Sequence, residues 1–298
     1  MKITLQPVRK NTYPTLAWVL LFLLSSIWGT SFLLIKKGLE VYSPIQVASL
    51  RIASAFLVVV VPAFWHFRLV PKNKIGFLFL SGLLGNLLPA FWFAIAQTQI
   101  SSSVASILNS LTPFFTFIVG IIFFAKKSAW QKGLGIALGI LGTVLIFVQK
   151  GNLVFSGYAL FIVLATLGYG LNINLTGKFL ADVKPIHITT TSIFMTGSIA
   201  TFILFGFTDF LQVAQQHPNS LQPLIYVMLL GVVGSGTSSI IFYKLLQISS
   251  PLFASSVTYI IPIIGVSLGV LSGESISYWH LAGMSLIIVG VLMMNKSK

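Results

Sequence analysis

Runs of about twenty apolar residues, separated by short polar loops, recur along the whole chain. They fall at residues 15–35, 44–65, 75–97, 102–124, 132–148, 157–179, 185–207, 223–246, 251–272 and 278–294. About 20 mostly apolar residues in a helix cross a hydrocarbon core of about 30 Å. The pattern therefore predicts an all-α membrane protein of ten transmembrane helices, whose runs and loops leave no room in the chain for an extramembrane domain. The first run is too long for a signal-peptide core and lacks a well-placed small-x-small cleavage site, so it is read as a retained span. The longest loop, residues 208–222, carries Gln215, Gln216, His217 and Pro218 and is expected on the surface.

The pattern also repeats. Gln99-Ile100-Ser101-Ser102 returns as Gln247-Ile248-Ser249-Ser250, and Ala105-Ser106 as Ala254-Ser255. Pro113, Gly120 and Trp130 are answered by Pro262, Gly269 and Trp279, and Gly135…Gly142 by Gly283…Gly290. Further upstream, Trp28-Gly29 stands to Pro44 as Tyr169-Gly170 stands to Pro185, with Lys37 and Lys178 between. Gly82 and Gly85 match Gly231 and Gly234. Each half, residues 1–150 and 151–298, thus holds five helices. Five is odd, so the second half enters the membrane from the opposite face. Two inverted five-helix repeats around a midplane site are a transporter architecture.

Composition agrees with a lipid-embedded chain. Of 298 residues, 56% are hydrophobic and 7% charged, with a mean hydropathy of +0.97, whereas soluble domains carry roughly a quarter charged residues. The net charge of +14 does not indicate nucleic acid, because the cations sit in short loops and no basic helix or aromatic-studded sheet gathers them. Instead they sort by loop. Lys2, Arg9, Lys10, Arg68, Lys72, Lys74, Lys126, Lys127, Lys132, Lys178, Lys184, Lys244, Lys296 and Lys298 fall on one side, and only Lys36, Lys37 and Lys150 on the other. The positive-inside rule then predicts an inner-membrane protein with both termini cytoplasmic. With no Cys in the chain, disulfides, thiolate metal sites and a Cys nucleophile are excluded.

These features resemble the EamA family of the drug/metabolite transporter superfamily over essentially the whole length. The resemblance is carried by Trp28-Gly29-Thr30-Ser31, by Pro44 followed by Leu50-Arg51, by Pro113 and Pro262, and by Gly273-Glu274 followed by Gly283…Gly290. One departure is Ala125-Lys126-Lys127, where the family usually has Gly-Glu. It leaves a glutamate role at that inner position without support. The resemblance implies a permease for amino acids, other small metabolites or drugs, moved mostly outward.

Several residues are candidates for lining a substrate site. Pro113 and Pro262 each sit mid-run and remove a backbone hydrogen bond, giving either fixed kinks or hinges that expose backbone polar groups. Arg51 is the one charge placed away from the ends of a run, about 10 Å from the outer helix end at 1.5 Å per residue. A charge at the bilayer centre costs at least about 2.5–3.5 kcal/mol, so Arg51 either pairs structurally, snorkels to the headgroups or holds a substrate carboxylate. Trp28 with Tyr169, and Ser31 with Asn172, occupy matched positions. Asn86, Trp92, Thr112 and Tyr243 add polar groups at membrane depth, and Asn109, Thr258 and Tyr259 flank the prolines. Ser25, Ser26, Ser238 and Ser239 are read as helix-packing residues. Gly135…Gly139 and Gly283…Gly290 suit either a homodimer face or packing within the bundle. Asn174-Leu175-Thr176 matches a glycosylation pattern but lies inside a run.

The residues that are missing narrow the chemistry. All four acids, Glu40, Asp182, Asp209 and Glu274, fall in loops or at helix ends, and His66, His187, His217 and His280 lie near interfaces. No membrane carboxylate is offered for proton–drug exchange, and no acid–base or metal cluster for an intramembrane hydrolase. A phosphorylated substrate would need more cations than Arg51. The sequence thus predicts a transporter, not an enzyme, with no cofactor and with membrane lipids as its solvent. Its substrate is expected to be a small neutral or zwitterionic metabolite such as an amino acid. Multidrug or other metabolite efflux, or a non-transporting membrane scaffold or receptor, are the alternatives.

Overall fold

A computed structural model describes residues 13–124, 131–146, 148–149, 152–153 and 156–296. The expectations placed on Lys2, Arg9, Lys10, Ala125-Lys126-Lys127, Trp130, Lys150 and Lys298 lie outside the described residues. Among the described residues, eight helices are long and apolar enough to cross a membrane: Thr15–Gly38, Pro44–Leu69, Lys72–Ala96, Ser102–Phe124, Ala159–Phe179, Pro185–Gly206, Leu221–Ile248 and Pro251–Leu271. These are the first to fourth and sixth to ninth helices. Gln131–Ile146 and Tyr278–Lys296 occupy the fifth and tenth runs. Their described apolar stretches, Ala137–Ile146 and Tyr278–Gly290, are shorter. The predicted loop at residues 208–222 holds a two-turn helix, Phe210–Gln216, and Val148–Gln149 pairs with Asn152–Leu153 in a small antiparallel hairpin.

The sequence starts these helices with side chains that satisfy their first N–H groups. Ser43 and Gln46 form a reciprocal capping box ahead of Pro44, and Ser101 and Ser250 cap the fourth and ninth helices. The outer surface is apolar. Phe64, Trp65, Ile122, Phe123, Phe202 and Phe207 are each at least 63% exposed. The interior is instead rich in hydroxyls such as Ser49, Ser54, Thr189 and Thr191. This distribution fits lipid as the surrounding phase, where small polar residues join helices.

Irregular turns occur in pairs. The third helix contains a π-turn at Leu83–Leu87 and the eighth at Val232–Thr237. The fourth tightens to a 3-10 turn at Asn109–Leu111 and the ninth at Ser256–Tyr259. The sequence predicted the break at Pro113 and Pro262 themselves. It falls in the turn just before each proline, where the missing N–H and the ring's bulk disrupt the regular ladder.

Glycines set the closest approaches. A Cβ on Gly142 would meet the Gly283 carbonyl oxygen, and one on Gly290 that of Gly135. The fifth and tenth helices therefore run antiparallel, and the glycine face is used within the chain. The second and seventh helices are also antiparallel. Gly197 abuts Phe56, while further along the His66 ring packs against that of His187, tilted, with centroids 4.6 Å apart. The same contacts occur twice. Gly82 rests on the Ser192 carbonyl and Gly231 on the Arg51 carbonyl; Gly85 rests on Asn172 and Gly234 on Ser31.

Candidate substrate-binding cavity

The irregular turns converge on a cavity between the helices, lined by both halves of the chain, and small-molecule sites are concave, mostly apolar clefts with a few placed polar groups. Departures from regular helix leave backbone groups without intrahelical partners, which membrane proteins tolerate where they face a cavity. Gly85 and Asn86 come from one π-turn and Gly234 from the other. Asn109 and Thr258 come from the two 3-10 turns. Thr112, Tyr169, Asn172, Trp28, Ser31, Arg51 and Tyr243 complete the set of predicted residues that line it.

Hydrogen bonds fix most of these side chains. The Trp28 indole N–H reaches both the Gly234 carbonyl and Ser238 Oγ at 3.0 Å. Its ring packs against Phe242 at 5.3 Å. Arg51 Nε donates to Ser235 Oγ at 2.8 Å. Ser81 Oγ donates to Asn172 Oδ1 at 2.7 Å and lies 2.9 Å from the Tyr243 hydroxyl. Thr176 donates to the same Asn172 oxygen at 3.1 Å. Ser239 donates to Asn86 Oδ1 at 3.4 Å. Thr112 and Thr258 turn their hydroxyls back to the carbonyls of Asn109 and Ser255 at 2.8 and 2.9 Å. Asn109 Oδ1 is buried without a hydrogen-bond partner among the described residues.

Two candidates lie elsewhere. Trp92 packs beside Gly168, and half-buried Tyr259 closes its 3-10 turn away from the lining. Pro113 and Pro262 are buried beside the cavity without lining it. The sequence reading missed the aromatic wall of Phe32, Phe93 and Phe242, as well as Ser239 and Ser255. It also missed Ser81, which organises Asn172 and Tyr243. The repeated glycines were the available signal, since Gly85 and Gly234 mark where neighbouring helices come close enough to bury polar groups.

Among the described residues no acid lines the cavity. Glu40 pairs with Lys37 at 2.7 Å and Asp182 with Lys74 at 3.0 Å. Asp209 accepts from Gln46 at 2.8 Å. Glu274 accepts from the Ser102 backbone N–H and hydroxyl, both at 2.8 Å, from the Ser103 N–H at 2.9 Å, and from the Ser103 hydroxyl. Burial pushes its carboxyl upward, but these donors together outweigh that and hold it below its ordinary value. Its charge also suits the N-terminus of the fourth helix. Among the described residues no three His, Asp or Glu side chains gather as a metal site.

The sequence pattern of the EamA-like transporter family matches residues 16–148 and again 156–296. The chain belongs to that family. It is a multi-pass membrane transporter. An "Uncharacterized transporter" of Archaeoglobus fulgidus is 25% identical, covering 94% of this chain and 99% of that protein. The "Uncharacterized inner membrane transporter YedA" of Escherichia coli K12 is also 25% identical, covering 93% and 90%. A "Probable amino-acid metabolite efflux pump" of Salmonella typhimurium is 25% identical, covering 89% and 90%. A solved crystal structure superimposes with a TM-score of 0.62 at 16% identity, covering 94% of this chain and 96% of the other. At that identity the likeness shows the fold alone.

Proposed function

We propose that this EamA-like protein is a permease that exports small neutral or zwitterionic metabolites, amino acids first, by alternating access. The carrying observation is that matched residues from both halves of the chain face one cavity. Trp28 and Tyr169, Ser31 and Asn172, and Gly85 and Gly234 all line it. In this reading the fifth and tenth helices also cross the membrane, giving ten spans in two five-helix halves, residues 1–150 and 151–298. The antiparallel packing of the second on the seventh helix and of the fifth on the tenth supports an inverted relation, with an axis in the membrane plane. The cation bias of the loops supports cytoplasmic termini. The name of the Salmonella relative supports amino-acid metabolites and outward flux. A homodimer remains outside what alternating access needs.

The test uses purified protein in liposomes loaded with radiolabelled amino acids. Because the chain has no Cys, Asn109→Cys and Thr258→Cys each introduce a single reactive thiol. Substrate-dependent flux, with labelling at the two thiols shifting in opposite senses on substrate addition, is expected. A cavity that binds substrate yet shows neither flux nor a labelling change would indicate a receptor instead.

A further inference from the structure

Among the described residues, Arg51 is the only charged side chain lining the cavity. Its guanidinium makes one hydrogen bond to them, to the neutral Ser235 hydroxyl. A guanidinium offers five N–H donors in a planar fork and stays charged at any physiological pH. Four donors are therefore left without an acceptor among the described residues. The chain's four acids are all held outside the cavity, on Lys37, Lys74, Gln46 and the fourth helix N-terminus. A charge kept at membrane depth without an opposite partner is costly.

Packing does not call for that charge. Gly231 rests on the Arg51 carbonyl as Gly82 rests on the Ser192 carbonyl. Ser192 thus fills the corresponding place in the seventh helix with a small hydroxyl, which turns back to the Thr189 carbonyl at 3.2 Å. The same helix–glycine contact forms with an arginine in one copy and a serine in the other. The helix–glycine contact does not need the guanidinium.

A second polar group lining the cavity is also unanswered. Asn109 Oδ1, on the 4%-exposed Asn109 side chain, has no donor among the described residues. It is an acceptor waiting for an N–H or O–H.

We propose that the cavity selects substrates by a carboxylate, held by the Arg51 fork, with an N–H or O–H group next to that carboxylate donating to Asn109 Oδ1. The inference rests on the reading of this cavity as the transport site and narrows its substrates to amino acids and related hydroxy acids. Carboxylate and guanidinium match in a bidentate geometry that an ammonium cannot reproduce. The rings of Trp28, Phe93 and Phe242 accept the rest of the molecule. Cationic amines without an acid group meet an unopposed positive charge and are rejected.

Four probes of one skeleton test this: phenylalanine, its amide, phenylethylamine and 3-phenyllactate. Binding to the full-length protein in detergent is read by thermal stabilisation and tryptophan fluorescence, and transport by flux in liposomes. Phenylalanine and 3-phenyllactate are expected to bind at least about tenfold tighter than the amide and the amine. Arg51→Gln should erase that preference, and so should Arg51→Ser, which copies the side chain found at position 192. Asn109→Leu should weaken both acids. If the amide or amine binds wild-type protein as well as the acids, or if no acid binds at millimolar concentration, the proposal is overturned without recourse to any variant. Retained acid preference in a folded Arg51→Gln protein overturns it too. Carboxylate-selective binding without flux would sink the permease reading and leave this one standing. Flux without carboxylate preference would do the reverse.

Discussion

A Cβ placed on Gly142 would lie 2.6 Å from the carbonyl oxygen of Gly283. Side chains do not approach backbone oxygens so closely, so the fifth and tenth helices can touch only because both residues are glycine. The contact is backbone to backbone and no rotamer change relieves it. Gly142→Ala and Gly283→Ala are each expected to cost about 1–3 kcal/mol, as overpacked sites do, and to lower the melting temperature of the purified protein. Gly76→Ala is the control, since nothing lies within 4 Å of that Cβ. Equal melting temperatures for all three variants would mean the two helices do not pack in this way.

Glu274 ties the loop after the ninth helix to the start of the fourth. Its folded-state pKa lies below its ordinary value, because the Ser102 and Ser103 donors outweigh burial. A depressed carboxyl contributes stability that is present above its unfolded pKa and is lost as pH falls through the folded one. Wild-type protein should therefore lose this increment as acidification passes below the ordinary glutamate range. Glu274→Gln should lose it at every pH, because an amide puts a donor against donors. The expected cost at neutral pH is about 1–2 kcal/mol, in the range of hydrogen bonds to a charged but partly exposed group. Melting curves of both proteins between neutral and acid pH decide the matter. Parallel curves would show that Glu274 does not cap the helix.

Much of this architecture was legible because lipid imposes a simple rule: apolar runs of span length must be helices. The runs gave the order of the elements, and Trp28, Arg51, Asn109, Asn172 and Tyr243 were findable because polar groups in such runs rarely face lipid. The geometry of the bends was less legible. Proline marks where a ladder must fail, but relaxation of the preceding turn decides its form, so the breaks fell at Asn109–Leu111 and Ser256–Tyr259. The π-turns carry no proline inside them and were not foreseen. Trp92 shows the limit of depth as a guide, since a helix at the right depth still has one face turned away from the cavity. Phe32 and Phe93 were invisible for the opposite reason. In a chain with 25 Phe, an aromatic ring at the site has nothing to distinguish it from one in lipid.

Ser81 is the pivot between Asn172 and Tyr243. It is fully buried, so no water replaces its hydroxyl on removal. Ser81→Ala would leave the Tyr243 hydroxyl without that partner, and Asn172 Oδ1 with only Thr176. An expected stability loss of about 1–3 kcal/mol follows from the unsatisfied groups. Substrate affinity should fall as well, because Asn172 and Tyr243 both face the cavity. Ser54→Ala offers a comparison, since that hydroxyl only turns back to the Leu50 carbonyl. It should reduce stability less and leave affinity unchanged. Ligand titration by thermal shift measures both effects.

The Trp28 indole bridges the first helix to the π-turn of the eighth, through the Gly234 carbonyl and Ser238. These two helices pack side by side and both line the cavity, so the bond holds the cavity in the arrangement seen here. If the first and eighth helices part during access to one side, this bond must break in every cycle. Trp28→Phe keeps the aromatic contact with Phe242 and removes only the donor. Its expected cost is about 1 kcal/mol, a single neutral hydrogen bond. An equilibrium shifted by that much changes a state ratio about fivefold. In a Thr258→Cys background, Trp28→Phe should therefore change the labelling rate without substrate by a similar factor while flux is retained. An unchanged rate, with the protein folded, would assign the indole to packing and not to the moving interface.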